Sequence, residues 1–227
     1  MNSNLKIHCL KDLIEISDVV FEIISDVHYS NNNRFYVIPG GKTPKLLLNL
    51  LSKKIIDWNN TQFILSDERL IDNKQVSNEH MVNEELLKEI NKDEKPKLIK
   101  YSRTGDQSVV EKNIKNKKPD LTILGIGDDG HTASLFPSNA EILNHTNICI
   151  KVKNSWEDFN RISLSFNYLM KSDQIIFLIN GGSKAEALKE CLTGSYNPMQ
   201  YPAQYIFHNY QKIIHVFCDK EAGKYIA

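Results

Sequence analysis

The stretch that decides the fold is Pro119-Asp120-Leu121-Thr122-Ile123-Leu124-Gly125-Ile126-Gly127-Asp128-Asp129-Gly130-His131-Thr132-Ala133-Ser134-Leu135-Phe136-Pro137. Leu121 to Leu124 is a short apolar run with β-branched residues at its centre and a proline just upstream, the pattern of a strand buried on both faces. Gly125, Gly127 and Gly130 stop that strand and allow a tight turn, in which Asp128, Asp129 and His131 are concentrated. Ionisable side chains at the carboxyl end of a buried strand are where open α/β sheets hold ligands.

The same alternation extends along the chain. Leu13, Ile16, Val20, Ile23, Ile24 and Val27 recur at helical spacing, so residues 11–29 are expected to form an amphipathic helix. After the polar Asn31-Asn32-Asn33 turn, Arg34-Phe35-Tyr36-Val37-Ile38 reads as a strand that runs into Pro39-Gly40-Gly41-Lys42-Thr43-Pro44. A helix follows from Leu46, with Thr43 placed as its N-cap and Pro44 in its first turn. A strand, a double glycine and a helix start together make an anion site, because unpaired N–H groups and the helix dipole point into the turn. The string Gly41-Lys42-Thr43 is not a nucleotide P-loop, since Tyr36 stands where that motif needs its first glycine.

Further strands are expected at Trp58–Leu65, Lys97–Tyr101, Ile148–Val152, Arg161–Phe166, Gln174–Ile179 and Lys212–Phe217, with a short extended piece at Pro202–Ile206. Ser77-Asn78-Glu79 reads as a capped helix start. Two strand ends carry charge: Ser66-Asp67-Glu68-Arg69 follows the first of these, and Gly181-Gly182-Ser183-Lys184 follows Gln174–Ile179 and leads into a helix around 185–192. Lys184 in the first turn of that helix opposes its dipole, a cost that an anion would offset. The fold class is therefore α/β, a mostly parallel, Rossmann-like sheet with helices on both faces, and residues 1–227 are expected to form one domain.

Composition narrows the function. Lys+Arg and Asp+Glu both number 28, so no global field favours nucleic acid or an anionic membrane, and a small ligand is the default. The four cysteines form no CxxC pair or framework, and no apolar run marks a secretion signal or membrane span, which points to a cytoplasmic chain with reduced thiols. Gly125 to Gly130 spells GxGxxG, but Asp128 and Asp129 would project where a pyrophosphate must sit. No GxSxG elbow supports a serine hydrolase, and His131 lacks a second histidine or cysteine at zinc-ligand spacing. An imidazole beside carboxylates remains. His131 can take a proton from water, and Asp129 can hold its ring and tautomer, so direct attack of water on an activated ester is the expected chemistry.

The ordered set PGGKTP (39–44), Trp58 with SDER (66–69), SN (77–78), PDLTILGIGDDGHTASLFP (119–137), RISLS (161–165) and GGSKAEAL (181–188) resembles the 6-phosphogluconolactonases, within the superfamily that includes the glucosamine-6-phosphate deaminases. The resemblance implies hydrolysis of 6-phospho-D-glucono-1,5-lactone to 6-phosphogluconate in the oxidative pentose phosphate pathway, with neither metal nor cofactor. It implies His131 as general base, Asp129 as its orienting carboxylate, Gly40, Gly41 and Thr43 as the phosphate loop, Arg161 and Lys184 as its cations, and Asp67 and Arg69 along the sugar site. Pro39 and Lys42 stand where the family more often has serines. The expected partner is a phosphorylated sugar lactone alone, and the expected state a monomer or weak homodimer. The alternatives are a glucosamine-6-phosphate deaminase or isomerase, and a non-catalytic sugar-phosphate-binding protein. In the deaminase branch an asparagine and a glutamate follow the DGH turn, where this chain has Thr132-Ala133-Ser134-Leu135-Phe136.

Overall fold

A computed structural model describes residues 4–54, 56–144, 146–153 and 157–226, so Met1–Ser3 and Ala227 of the expected 1–227 unit lie outside the described residues. In chain order the main elements are β1 (Leu5–Leu10), α1 (Leu13–Ser30), β2 (Arg34–Ile38), α2 (Lys42–Ser52), β3 (Thr61–Leu65), β4 (Asp67–Arg69), α3 (Asn78–Val82), β5 (Lys97–Ile99) and α4 (Gln107–Ile114). They continue with β6 (Leu121–Leu124), β7 (Cys149–Val152), β8 (Arg161–Leu164), α5 (Phe166–Leu169), β9 (Gln174–Ile179), α6 (Ala185–Thr193), α7 (Gln204–Asn209) and β10 (Ile213–Asp219).

Seven strands pair in parallel in the order β1-β10-β9-β6-β2-β3-β5. From the middle of this sheet β2 leads outward to β3 and β5, whereas β6 leads the other way to β9 and β10. The crossover loops therefore part at the carboxyl ends of β2 and β6, which is where such a sheet opens a crevice. All four residues of β6 are buried, and β9 is buried from Ile175 to Ile179, as runs of apolar residues require when helices cover both faces.

Helix α1 forms because Ile16, Val20, Ile24 and Val27 share one buried stripe and Asp12 caps its start, accepting from the Ile14 and Glu15 amides at 3.0 Å each. Helix α3 is capped twice. Ser77 Oγ accepts from the His80 amide at 3.1 Å, and the buried Glu68 carboxylate accepts from the Asn78 and Glu79 amides at 2.9 and 2.7 Å, placing a negative charge at the positive end of the helix. Glu68 thus fixes α3 beside the crevice.

Three local expectations are corrected. Strand β3 starts at Thr61, not Trp58, because Asn60 takes φ 57° in a turn and Trp58 packs into the core before it. Thr43 is not the N-cap of α2: Gly41, at φ 100°, turns the chain into the helix two residues earlier, and no side chain caps the first amides. Pro202–Ile206 is not extended, since Pro202 starts the turn that becomes α7, with the Tyr205 amide donating to the Pro202 carbonyl at 3.0 Å. The charged strand end Asp67–Arg69 forms β4, which pairs antiparallel with β8, and β8 with β7, in a second, three-stranded sheet. Among the described residues no helix is long and apolar enough to cross a membrane.

Candidate active site

One cavity of about 190 Å³ opens at the carboxyl ends of the central strands. Its wall includes Gly40, Gly41 and Thr43 after β2, Asp67 and Arg69 from β4, His131 from the turn after β6, Arg161 from β8 and Lys184 after β9. These are eight of the nine residues singled out from the sequence, and the ninth, Asp129, stands directly behind His131.

The turn after β6 is built to aim an imidazole. The Gly127 amide donates to the His131 carbonyl at 2.8 Å and the Gly130 amide to the Gly127 carbonyl at 3.0 Å, closing a tight loop. Asp129 Oδ1 accepts from the His131 amide at 3.1 Å and lies 2.6 Å from His131 Nδ1. Burial works to raise the Asp129 pKa, but the hydrogen bonds from the His131 ring and amide outweigh it and hold the carboxyl below its ordinary value. Nδ1 facing an ionised carboxylate must carry the proton, which leaves Nε2 as the acceptor. The ring packs against Phe136, with centroids 4.7 Å apart. On its other side it lies against Gly127, where an added Cβ would meet His131 Nδ1 at 2.1 Å. Gly127 is there because the ring fills the space a side chain would need.

The cations that line the same cavity are not free in the protein. Lys184 Nζ lies 2.5 Å from Asp128 Oδ1, and Ser183 Oγ donates to the same oxygen at 3.1 Å. The Lys184 bond holds the Asp128 carboxyl below its ordinary pKa, against the opposing effect of burial. The anion that offsets Lys184 against the helix dipole is thus supplied by the chain itself, so the dipole argument alone does not require a ligand. Arg161 forks onto both oxygens of Glu157 and lies 3.7 Å from Asp67 Oδ2. Burial acts against its charge, but Glu157 and Asp67 more than compensate and its pKa is raised.

Asp67 is a buried hub. Ser66 Oγ donates to its Oδ1 at 3.0 Å, Ser134 Oγ to its Oδ2 at 2.5 Å, and Asn78 Nδ2 to its carbonyl at 2.9 Å. Arg69 donates to Asn78 Oδ1 and to the Val76 carbonyl, both at 2.6 Å, while its buried Nε is the one side-chain N or O atom of this kind without a hydrogen-bond partner among the described residues. Asn78 also seals the phosphate-loop side, because an added Cβ at Gly40 would fall 1.9 Å from its Oδ1.

Asn78, Asp128, Ser134 and Glu157 were not singled out as site residues. Asn78 and Ser134 lie inside quoted motifs, so the signal for them was present. Asp128 also lies in the quoted glycine turn, but nothing local marks Lys184 as its partner, and Glu157 carries no local signal that distinguishes it from a surface carboxylate.

Comparisons with known proteins bear on the family and the fold. The family profile described as glucosamine-6-phosphate isomerases/6-phosphogluconolactonase matches residues 14–215. A 6-phosphogluconolactonase of Helicobacter pylori is 32% identical over 225 residues, covering 96% of this chain and 96% of the relative. The crystal structure of a 6-phosphogluconolactonase from Shewanella baltica superposes with a TM-score of 0.85 at 26% identity, covering 96% of this chain and 99% of the other. A monomeric glucosamine-6-phosphate deaminase, at 18% identity, shares the fold with a TM-score of 0.79 over 96% of this chain and 99% of its own. The chain belongs to the glucosamine-6-phosphate isomerase/6-phosphogluconolactonase family.

Proposed function

We propose that the chain hydrolyses 6-phospho-D-glucono-1,5-lactone to 6-phosphogluconate, the lactone-opening step of the oxidative pentose phosphate pathway. The observation that carries this reading is that His131, backed by Asp129, shares one cavity with the Gly40–Thr43 turn and Lys184. A base and anion-binding groups sharing one cavity suit a substrate that carries both a reactive carbonyl and a phosphate.

The phosphate sits against the uncapped amides at the start of α2, with Thr43 and the nearby Lys184 and Arg161 completing its surroundings. Its binding energy serves to hold C1 of the lactone against a water on His131. Nε2 takes a proton from that water as its oxygen bonds to C1, and the Nδ1–H bond to Asp129 stabilises the imidazolium that forms. The tetrahedral intermediate then collapses. The bond from C1 to the ring oxygen breaks, the imidazolium returns its proton to that oxygen, and the open acid gives up its remaining proton to solvent and leaves as the carboxylate. Arg69 and Asp67 line the sugar side. In this reading Asp67 acts chiefly by holding Arg161 and Ser134.

The deaminase alternative shares the fold, but ring-opening isomerisation needs an additional acid/base group beside the histidine. The residues after His131 here are Thr132, Ala133, Ser134, Leu135 and Phe136, of which none carries a carboxylate. A sugar-phosphate sensor needs no proton acceptor, so the His131–Asp129 pair speaks for catalysis. The test is a coupled assay that offers the phospholactone beside glucosamine 6-phosphate, with and without a chelator. Lactone hydrolysis that survives the chelator is the expected result. Turnover of the amino sugar alone, or of neither compound, overturns the reading.

A further inference from the structure

Two residues after His131 the backbone does something side chains rarely permit. Ala133 takes φ 51°, in the left-handed region, and it lines the cavity. A non-glycine residue stays in this region only where its surroundings over-determine it, and such residues cluster at active sites. Here the restraint is visible in Ser134, which is fully buried. Its amide donates to Ser163 Oγ at 3.2 Å, its Oγ donates to Asp67 Oδ2 at 2.5 Å, and Arg161 donates to that same Oγ at 3.4 Å. The Leu135 amide closes the turn onto the Thr132 carbonyl at 2.9 Å, and Thr132 Oγ1 ties it to the Gly125 carbonyl at 2.8 Å.

These bonds commit the neighbouring donors. The amides of Gly127, His131, Ser134 and Leu135 all have protein acceptors, whereas the Ala133 N–H has none among the described residues. The proposed reaction has an unmet requirement of the matching kind: attack of water on C1 turns the lactone carbonyl oxygen into an oxyanion, beside the imidazole that activates the water. A fixed, pre-aimed donor at that point stabilises the transition state without reorganising.

We infer that the Ala133 backbone N–H is a catalytic donor to this oxyanion, held ready by the strained turn that Ser134 locks to Asp67 and Ser163. The inference rests on the lactonase reading and adds to it a group that touches the reacting atoms. As the C1–O bond to water forms, the carbonyl electron pair moves onto the oxygen facing this N–H, and it returns when the bond to the ring oxygen breaks. Arg161 and Asp67 thereby influence catalysis through Ser134 as well as through the phosphate and sugar.

The test replaces the single group. Ala133→lactic acid, introduced as a backbone ester, removes the N–H and keeps the methyl side chain, while Ala133→Gly keeps the N–H and favours the same φ. Lactone turnover and 6-phosphogluconate affinity are measured for both, with melting temperature as the check on folding. The ester should lower kcat about 10²–10³-fold, the range for loss of one oxyanion donor, with product affinity within about twofold of wild type. The glycine variant keeps the donor, so its kcat should exceed that of the ester by at least about tenfold. An ester variant with wild-type kcat overturns the inference, as does one whose product affinity falls in step with kcat, because the site has then collapsed rather than lost a donor. A wild-type chain that leaves the lactone untouched overturns the activity itself, which separates the two failures.

Discussion

Gly127→Ala tests whether the aim of the His131 ring matters. Gly127 does not have a positive φ, so alanine is compatible with the backbone and acts only through its methyl group. That methyl would lie 2.1 Å from His131 Nδ1, 2.2 Å from Cε1 and 2.7 Å from Asp129 Oδ1, where ordinary contact begins at 3.4 Å. The ring must therefore retreat by about 1.3 Å, and a misplacement on the order of 1 Å in a catalytic group costs about 10²-fold in rate. Retreat also stretches the 2.6 Å contact to Asp129, a charge-assisted bond of about 1.5–3 kcal/mol, so the combined loss in kcat should reach about 10²–10³-fold. Initial rates of lactone hydrolysis, corrected for the spontaneous reaction, give kcat, and titration with 6-phosphogluconate gives product affinity. Gly40–Thr43, Arg161 and Lys184 lie on other loops and only Asp128, which holds Lys184, shares this turn, so affinity should change by less than about threefold. A folded Gly127→Ala protein with wild-type kcat would refute the reasoning.

Three further perturbations probe other parts of the site and fold. Gly40→Ala drives a methyl into the Asn78 amide, 1.9 Å from its Oδ1, and so disturbs the bonds that Asn78 makes to Asp67 and Arg69; it should lower both the melting temperature and product affinity, and no change in either would contradict the assigned network. Asp128→Asn removes the carboxylate that occupies Lys184 and should tighten 6-phosphogluconate binding several-fold at neutral pH, whereas weaker binding would mean that Asp128 orients Lys184 instead of competing for it. Burial, with His8 and Lys6 nearby, lowers the His215 pKa to about 4 from the ordinary 6.5. The unfolded chain then binds the extra proton first, so this contribution to stability is complete above about pH 6.5 and is lost progressively as pH falls towards 4. Melting curves between these values should decline less steeply for His215→Gln, and an identical decline would contradict the assignment.

The parts of the fold legible in the sequence are those where one residue pattern has one physical solution. β2, β6 and β9 are apolar runs stopped by glycine turns, and their carboxyl ends meet at one end of the parallel sheet. β1 went unread because Leu5–Leu10 is an edge strand with Lys6, His8 and Cys9 in its short run, which lacks the continuous apolar signal of the core strands. The second sheet was hidden for a different reason: Asp67, Glu68 and Arg69 look solvated, yet each pairs across to β8 and finds polar partners inside the protein. Within the site, the ends of successive strands announced which loops share the crevice. They did not announce who neutralises whom. Lys184 meets Asp128 and Ser134 meets Asp67 only through tertiary packing, and such pairings leave no trace in local spacing.

The central claim is that the His131 imidazole is the group that removes a proton from the attacking water. The most direct measurement is kcat for phospholactone hydrolysis by His131→Ala beside the wild-type chain, with 6-phosphogluconate affinity measured on the same preparations. The account predicts a fall in kcat of about 10²–10⁴-fold with product affinity nearly intact. A His131→Ala protein that turns over the lactone at the wild-type rate would contradict it.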